Sequence, residues 1–249
     1  RDPAVDTHDH SSLRHVIYAG APMYREDQKY APSKLGPCLV QYFGLGEVTG
    51  NITVLPPSWH SLEDDPAMPI GSCGYPRTGI EVAILDAANK PLPAGETGEI
   101  CVRGPAVFAG YFENDAANEK AFAGGWFHTG DLGHLDARGF LYITGRASDM
   151  YISGGSNVYP REVEEALLTH PSVAEACVVG VADAKWGELI CALVQLESEV
   201  SDQQLSEHCR QFLAAYKTPK RWVPVDSLPV NAAGKIDKPA LREMYASAT

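Results

Sequence analysis

Apolar residues fall into three kinds of stretch along the 249-residue chain. Residues 13–21 (LRHVIYAGA) and 38–44 (CLVQYFG) are short apolar runs ending in or near glycine. Such runs predict buried strands, as in a parallel sheet, with functional loops at their ends. Residues 56–79 hold several prolines and glycines and predict a long connection. From Ile80 the period becomes two. Ile80, Val82 and Ile84 alternate with polar or small residues, as do Ile100 and Val102, and the turn-rich PLPAGETG (91–98) lies between them. This predicts an antiparallel unit, a small barrel or curled sheet. GFLYIT (139–144) reads as another strand, and GRASD (145–149) follows it.

Beyond GRASD the period becomes helical. Pro160 suits the first turn of a helix, Val163, Ala166, Leu167 and His170 follow at helical spacing, and Pro171 stops it. CVVGVAD (177–183) and LICALVQL (189–196) read as strands. Ser201 with Gln204 forms a capping box opening a helix whose apolar face is Leu205, Cys209, Phe212, Leu213 and Tyr216. Asp237 is the N-cap expected for a last short helix, with Pro239 in its first turn. Residues from about 149 onward therefore read as a separate small α+β domain. No internal repeat or low-complexity tract interrupts the pattern.

Lys and Arg number 20 against 32 Asp and Glu, a net charge of −12. This acidic balance argues against nucleic acid as a partner but leaves room for a small anion at a local basic site. No stretch approaches 18 consecutive apolar residues, so no transmembrane helix is expected, and no basic-then-apolar start suggests a secretory signal. The six cysteines are scattered without a Cys-x-x-Cys pair. They read as reduced core thiols of a cytoplasmic protein rather than a disulfide scaffold or a zinc site. His8, Asp9 and His10 offer metal-ligating atoms in a polar leader, where the plainer reading is solvated side chains.

Two glycine-rich stretches resemble phosphate loops only superficially. Gly234-Lys235 has Pro229 where a Walker A loop needs its first glycine, and no Ser or Thr follows the lysine. Gly44, Gly46 and Gly50 miss the dinucleotide spacing by one residue. The other polar features stand at element ends. FGLGE (43–47) places an aromatic ring, two glycines and a carboxylate after a buried strand. The ring can stack on a base, the glycines let backbone approach a phosphate, and Glu47 offers oxygen to Mg2+; alternatively this is a tight turn with a solvated Glu. HTGDLG (128–133) puts Asp131 on a glycine-flanked turn, where it suits a ribose diol or serves an ordinary β-turn. Arg146 closes a strand as a fork donor or a plain surface arginine. Lys235 sits on a small-residue loop as a point charge for a phosphate–carboxylate centre, or as one more exposed lysine.

Taken in series, AGAPM (19–23), FGLGE (43–47), GEICVRGPAVFAGY (98–111), GWFHTGDLG (125–133), GRASDMYISGGSNVYPREVE (145–164), YKTPK (216–220) and NAAGKI (231–236) resemble the adenylate-forming superfamily. That superfamily holds acyl-CoA synthetases, peptide-synthetase adenylation domains and luciferases. The resemblance implies activation of a small-molecule carboxylic acid with ATP and Mg2+ to an acyl-adenylate, then transfer to coenzyme A. It implies that Phe43 stacks on adenine and that Ala19, Gly20 and Ala21 line the adenine and acyl pocket. Gly44 and Gly46 would meet the nucleotide, Glu47 would hold Mg2+, Asp131 would bind both ribose hydroxyls, and Arg146 would contact the ribose. Lys235 would be the catalytic lysine. Ser153, Gly154 and Gly155 would line the pantetheine tunnel.

The implied fold is α/β and α+β. Residues 1–60 would be the C-terminal piece of a large α/β subdomain and 61–147 a β-barrel-like subdomain. Residues 148–249 would form a mobile C-terminal α+β domain rotating about a hinge at Ser148. Three positions depart from the pattern: Ser148 replaces the common Asp or Lys, Gly46 the frequent Thr, and Phe43 the commoner Tyr. The hinge segment reads like acyl- and aryl-CoA ligases rather than peptide-synthetase modules. A fatty acid is the first expectation and an aryl acid the second, with a carrier-loading module as the alternative. The superfamily's pyrophosphate loop falls outside these residues, so a further reading is that 1–249 alone forms no adenylate. Lys217, Lys220, Arg221, Lys235 and Lys238 are the basic exceptions expected to meet phosphates.

Overall fold

In the computed structural model, which describes residues 3–20, 23–153, 155–183, 187–232 and 234–246, the two glycine-terminated runs form neighbouring strands. Val16–Tyr18 (β1) pairs in parallel with Leu39–Phe43 (β2). The helix between them, Arg25–Leu35 (α1), was not anticipated, because Pro32 sits inside it. Pro32 falls in the last turn, and Gly36, at φ 78°, returns its N–H to the Pro32 carbonyl at 2.9 Å. Leu39, Val40 and Gln41 are buried as expected, whereas Ile17 is 58% exposed on its edge strand. Thr53–Leu55 (β3) and Tyr75–Pro76 (β4) complete the sheet antiparallel, in the order β1-β2-β3-β4. The Pro/Gly-rich connection thus returns to the first sheet at β4.

Glu81–Leu85 (β5), Gly98–Arg103 (β6), Phe127–Leu135 (β7) and Leu141–Arg146 (β8) form an antiparallel meander. The period-two residues face inward, with Ile80, Ile84, Ile100 and Val102 all buried. The path β5-β6-β7-β8 is open among the described residues, so the expected barrel-like unit is a four-stranded open sheet rather than a closed barrel. Asp115–Ala121 (α2) lies in the β6–β7 connection, with the Asn114 side chain accepting from the Ala117 N–H at 3.2 Å. Phe43 packs against both inner clusters, one around Val102 and Phe127, the other around Ile100 and Leu141.

The chain divides into two compact units, Arg1–Ala147 and Ser148–Thr249. The second contains Tyr151–Ser153 (β9), Ser156–Val158 (β10), Pro160–Leu168 (α3), Val173–Asp183 (β11), Gly187–Leu196 (β12), Asp202–Phe212 (α4), Arg221–Pro224 (β13) and Lys238–Ala246 (α5). The sheet runs β10-β9-β12-β11, with β13 parallel to β12. Its long strands read as continuous apolar runs because both faces are covered. Val178, Ile190 and Ala192 pack with Val163, Leu167, Leu205 and Cys209 on the α3/α4 side. Cys177, Val179, Cys191 and Leu193 pack with Leu241 on the α5 side. The Ser201–Gln204 capping box is present, and Asp237 Oδ1 accepts from the Ala240 N–H at 3.1 Å. Phe212, the last residue of α4, and Tyr216, beyond its end, are exposed; of the expected apolar face Leu205, Cys209 and Leu213 are buried.

Candidate functional site

The loop after β2 is shaped by close backbone approach. A Cβ at Gly44 would stand 2.6 Å from the Gly50 carbonyl oxygen, so the turn admits only glycine there. The Gly46–Val48 turn that follows presents Glu47. A second loop buttresses it. The Phe108 N–H donates to the Glu47 carbonyl at 2.7 Å, and the Thr49 hydroxyl donates to the Ala106 carbonyl at 3.1 Å. The Tyr111 hydroxyl donates to Glu47 Oε1 at 3.0 Å. Burial, together with the Glu47 carboxylate, pushes the Tyr111 phenol above its ordinary value, so it remains a donor at neutral pH. Among the described residues Glu47 Oε2 accepts no hydrogen bond. An open carboxylate oxygen is the donor type that Mg2+ takes, so the residues present fit that ion. Tyr111 lies within a quoted motif, but its sequence position gave no sign of this contact.

A ladder slip builds the second part of the site. Glu99 faces Leu132 whereas Cys101 faces His128, so Thr129, Gly130 and Asp131 bulge out of β7. Gly130 takes φ 74° at the bulge. Thr129 fastens it, donating its hydroxyl to the Ile100 carbonyl at 2.7 Å and accepting the Asp131 N–H at 3.1 Å. Asp131 is a cross-strand partner of Arg146 on β8, and Arg146 Nε donates to Asp131 Oδ1 at 3.0 Å. The carboxylate is buried, with 8% of its side chain exposed, while the arginine is 64% exposed. The pair is thus an oriented acceptor beside a solvent-exposed fork donor.

The other expected site residues are placed as follows. Ala19 and Gly20 are exposed after β1, and Ala21 lies outside the described residues. Phe43 is half-buried, with part of its ring in the core. Gly46 is exposed, with open space where a side chain would go. Ser148 is exposed in the Ala147–Asp149 turn, its hydroxyl 3.4 Å from Asp149 Oδ1. Ser153 is buried on β9, Gly155 is exposed at φ 80°, and Gly154 lies outside the described residues. Lys235 is exposed on a hairpin loop closed by the Val230–Ile236 bridge, and Asn231 Oδ1 accepts its N–H at 3.1 Å.

Two of the expected basic residues are already neutralised. Lys217 Nζ binds both oxygens of Glu162 at 2.6 Å. Lys238 Nζ binds Glu164 Oε1 at 2.8 Å. Burial works against the Lys238 charge, but Glu164, Cys177 and Asp149 together hold the ammonium above its ordinary value. His8 Nδ1 and His10 Nε2 stand 2.8 and 2.7 Å from the backbone carbonyls of Ala4 and Val5. All six cysteines are free and buried.

A family profile described as AMP-binding enzyme matches residues 1–112, and the AMP-binding enzyme C-terminal domain matches residues 162–235. The medium/long-chain-fatty-acid–CoA ligase FadD8 of Mycobacterium tuberculosis is 40% identical over 98% of this chain and 43% of its own length. The 2-succinylbenzoate–CoA ligase of Bacillus velezensis is 44% identical over 94% of this chain and 46% of its own. The chain thus spans about half the length of the curated relatives it matches. Among solved structures, the amide bond synthetase McbA from Marinactinospora thermotolerans superposes with a TM-score of 0.89 at 36% identity, over 98% of this chain and 49% of that one. The o-succinylbenzoate CoA synthetase of Bacillus subtilis, in complex with its acyl-adenylate intermediate, gives 0.81 at 39%, over 93% of this chain and 46% of that one.

Proposed function

The chain belongs to the AMP-binding, adenylate-forming superfamily, and we propose that the full-length protein is an AMP-forming acid–thiol ligase using ATP, Mg2+ and coenzyme A. The Asp131–Arg146 pair carries this reading. A buried carboxylate, oriented by the Arg146 guanidinium on a glycine bulge, suits a vicinal diol such as that of ribose. Phe43, Gly44 and Gly46 surround the adenine and phosphates in this assignment, with Ala19, Gly20 and Ala21 lining the adenine and acyl pocket. Glu47, steadied by Tyr111, would hold Mg2+, which neutralises phosphate charge when bound.

The chemistry divides into two displacements. A substrate carboxylate oxygen attacks the α-phosphorus of ATP, the bond to the β-phosphate oxygen breaks, and pyrophosphate leaves. The coenzyme A sulfur then attacks the acyl carbonyl, and AMP leaves with the bonding pair. Lys235, an exposed ammonium on a short loop, supplies positive charge to the first displacement. Ser153, Gly154 and Gly155 border the thiol's approach, and Ser148 is the hinge for the second unit. Two names among the relatives pull the acid in different directions, a fatty acid and 2-succinylbenzoate. We assign a fatty acid as the substrate class and an aryl acid as its competitor.

The test is the acceptor and the acid together. Full-length protein with ATP, Mg2+ and a panel of acids should consume free coenzyme A, with the highest kcat/KM on an alkanoic acid. Consumption only with a phosphopantetheinylated carrier protein would overturn the ligase reading. A preference for 2-succinylbenzoate or a benzoate would overturn the fatty-acid assignment alone.

A further inference from the structure

The same ladder slip that positions Asp131 gathers three side chains on the other arm of the bulge. Cys101 and His128 are direct cross-strand partners, and Glu99 lies two residues before Cys101 on the same face. His128 Nδ1 stands 2.8 Å from Glu99 Oε2 and 3.4 Å from Cys101 Sγ. One ligating atom from each residue lies within 4.8 Å of the others, and this is the one such grouping among the described residues. Glu99 Oε1 is held by the Gly130 N–H at 3.0 Å. The Cys101 thiol is fully buried, His128 is 13% exposed and Glu99 31%, so the approach from solvent is along the carboxylate.

The hydrogen-bond inventory around the imidazole leaves one position unbalanced. His128 Nε2 faces the Ala123 carbonyl at 3.1 Å. A carbonyl only accepts, so Nε2 carries the ring hydrogen. In a neutral ring Nδ1 is then a lone pair directed at a carboxylate oxygen. Two acceptors at that distance need a cation between them, a proton or a metal ion. A ring whose far N–H is fixed by a carbonyl is the arrangement seen around metal-bound histidines. A Cys–His–Glu nucleophile is the weaker alternative, because the Cys101 sulfur is fully buried and a substrate carbon cannot approach it.

We propose that Glu99, Cys101 and His128 bind a divalent cation of the Zn2+ class and that the ion staples β6 to the β7 bulge. One sulfur, one nitrogen and one oxygen suit Zn2+ or Co2+ in tetrahedral coordination, with water at the fourth position. Mg2+ takes oxygen and is excluded by the sulfur and nitrogen donors. Binding forms the metal–sulfur bond and releases the thiol proton to solvent. The sequence shows no zinc spacing because the ligands come from two strands, 27 residues apart between Cys101 and His128.

The test uses Co2+ as the probe on the full chain, stripped with chelator beforehand. One equivalent should give a thiolate-to-cobalt charge-transfer band in the near ultraviolet, displaced by Zn2+ and unaffected by Mg2+. Zn2+ should also raise the melting temperature. Cys101→Ser should abolish the band, and Cys177→Ala should leave it. Glu99→Gln, which keeps an acceptor for Gly130, should weaken binding about tenfold or more. If Cys101→Ser fails to fold, Glu99→Gln and His128→Gln carry the test through their affinities. No band in the wild-type chain, a band that survives Cys101→Ser, or unchanged affinity in both His128→Gln and Glu99→Gln would overturn the proposal. The pair would then be an imidazolium–carboxylate bridge only.

Discussion

Removing the Lys238 ammonium should destabilise the second unit more than neutralising its partner does. Glu164 is 3% exposed at its side chain and accepts from the Val178 N–H at 2.9 Å and from Lys238 at 2.8 Å. Lys238 is 22% exposed, so an ammonium without Glu164 can still reach water, while the buried Glu164 charge without the ammonium cannot. Breaking a buried pair costs about 3–5 kcal/mol, and the solvent access of Lys238 places this pair near the lower end. We expect Lys238→Met to cost about 3 kcal/mol. Glu164→Gln should cost about 1.5 kcal/mol, because its amide oxygen still accepts from Val178. The double variant should cost less than the sum, since each change removes the other's orphan. The folded lysine sits above its ordinary 10.5, so the stabilisation is complete below that pH and is lost as pH rises through the folded value. Urea unfolding of the full chain at neutral pH and at a pH well above 10.5 measures all of this. Equal costs for the two single variants, or strict additivity in the double, would refute the reasoning.

Three further outcomes follow from the same geometry. Tyr111→Phe removes the bond that steadies Glu47, so the Mg2+ concentration needed for half-maximal adenylate formation should rise about three- to tenfold. The thiol step from supplied acyl-AMP should not change; equal loss in both steps would contradict this. Gly46→Thr enters open space at an ordinary φ, so it should leave stability within about 0.5 kcal/mol and lower the KM for ATP. A higher KM would remove Gly46 from the phosphate side. Lys235→Ala should suppress adenylate formation by about a hundredfold or more while sparing thioester formation from acyl-AMP. Parallel loss of both half-reactions would refute its assigned role.

Local patterns carried most of the elements, and long-range pairing carried what they missed. Ser201 and Gln204 are three residues apart, so their mutual capping is visible without a fold. The period-two residues of β5 and β6 pointed to an antiparallel sheet, but whether its edges join is decided by strands far apart in sequence. Helix α1 was hidden because Pro32 reads as a breaker, although it stands where only the last turn is affected. The site divides in the same way. Phe43, Glu47, Asp131 and Arg146 lay in motifs, yet Tyr111 reaches Glu47 across 64 positions and Lys238 reaches Glu164 across 74. Lys217 and Lys238 looked available for phosphate because the charge pattern does not show which carboxylates fold back onto them. Tyr216 looked like core because the helical spacing runs on past Phe212, where the helix stops.

The central claim is that ATP is split between its α- and β-phosphates while an acid is joined to a thiol. The full-length protein, given ATP, Mg2+, coenzyme A and its preferred acid, should release one AMP and one pyrophosphate for each acyl-CoA formed. ADP with inorganic phosphate as the nucleotide products, or AMP release uncoupled from thioester, would contradict it.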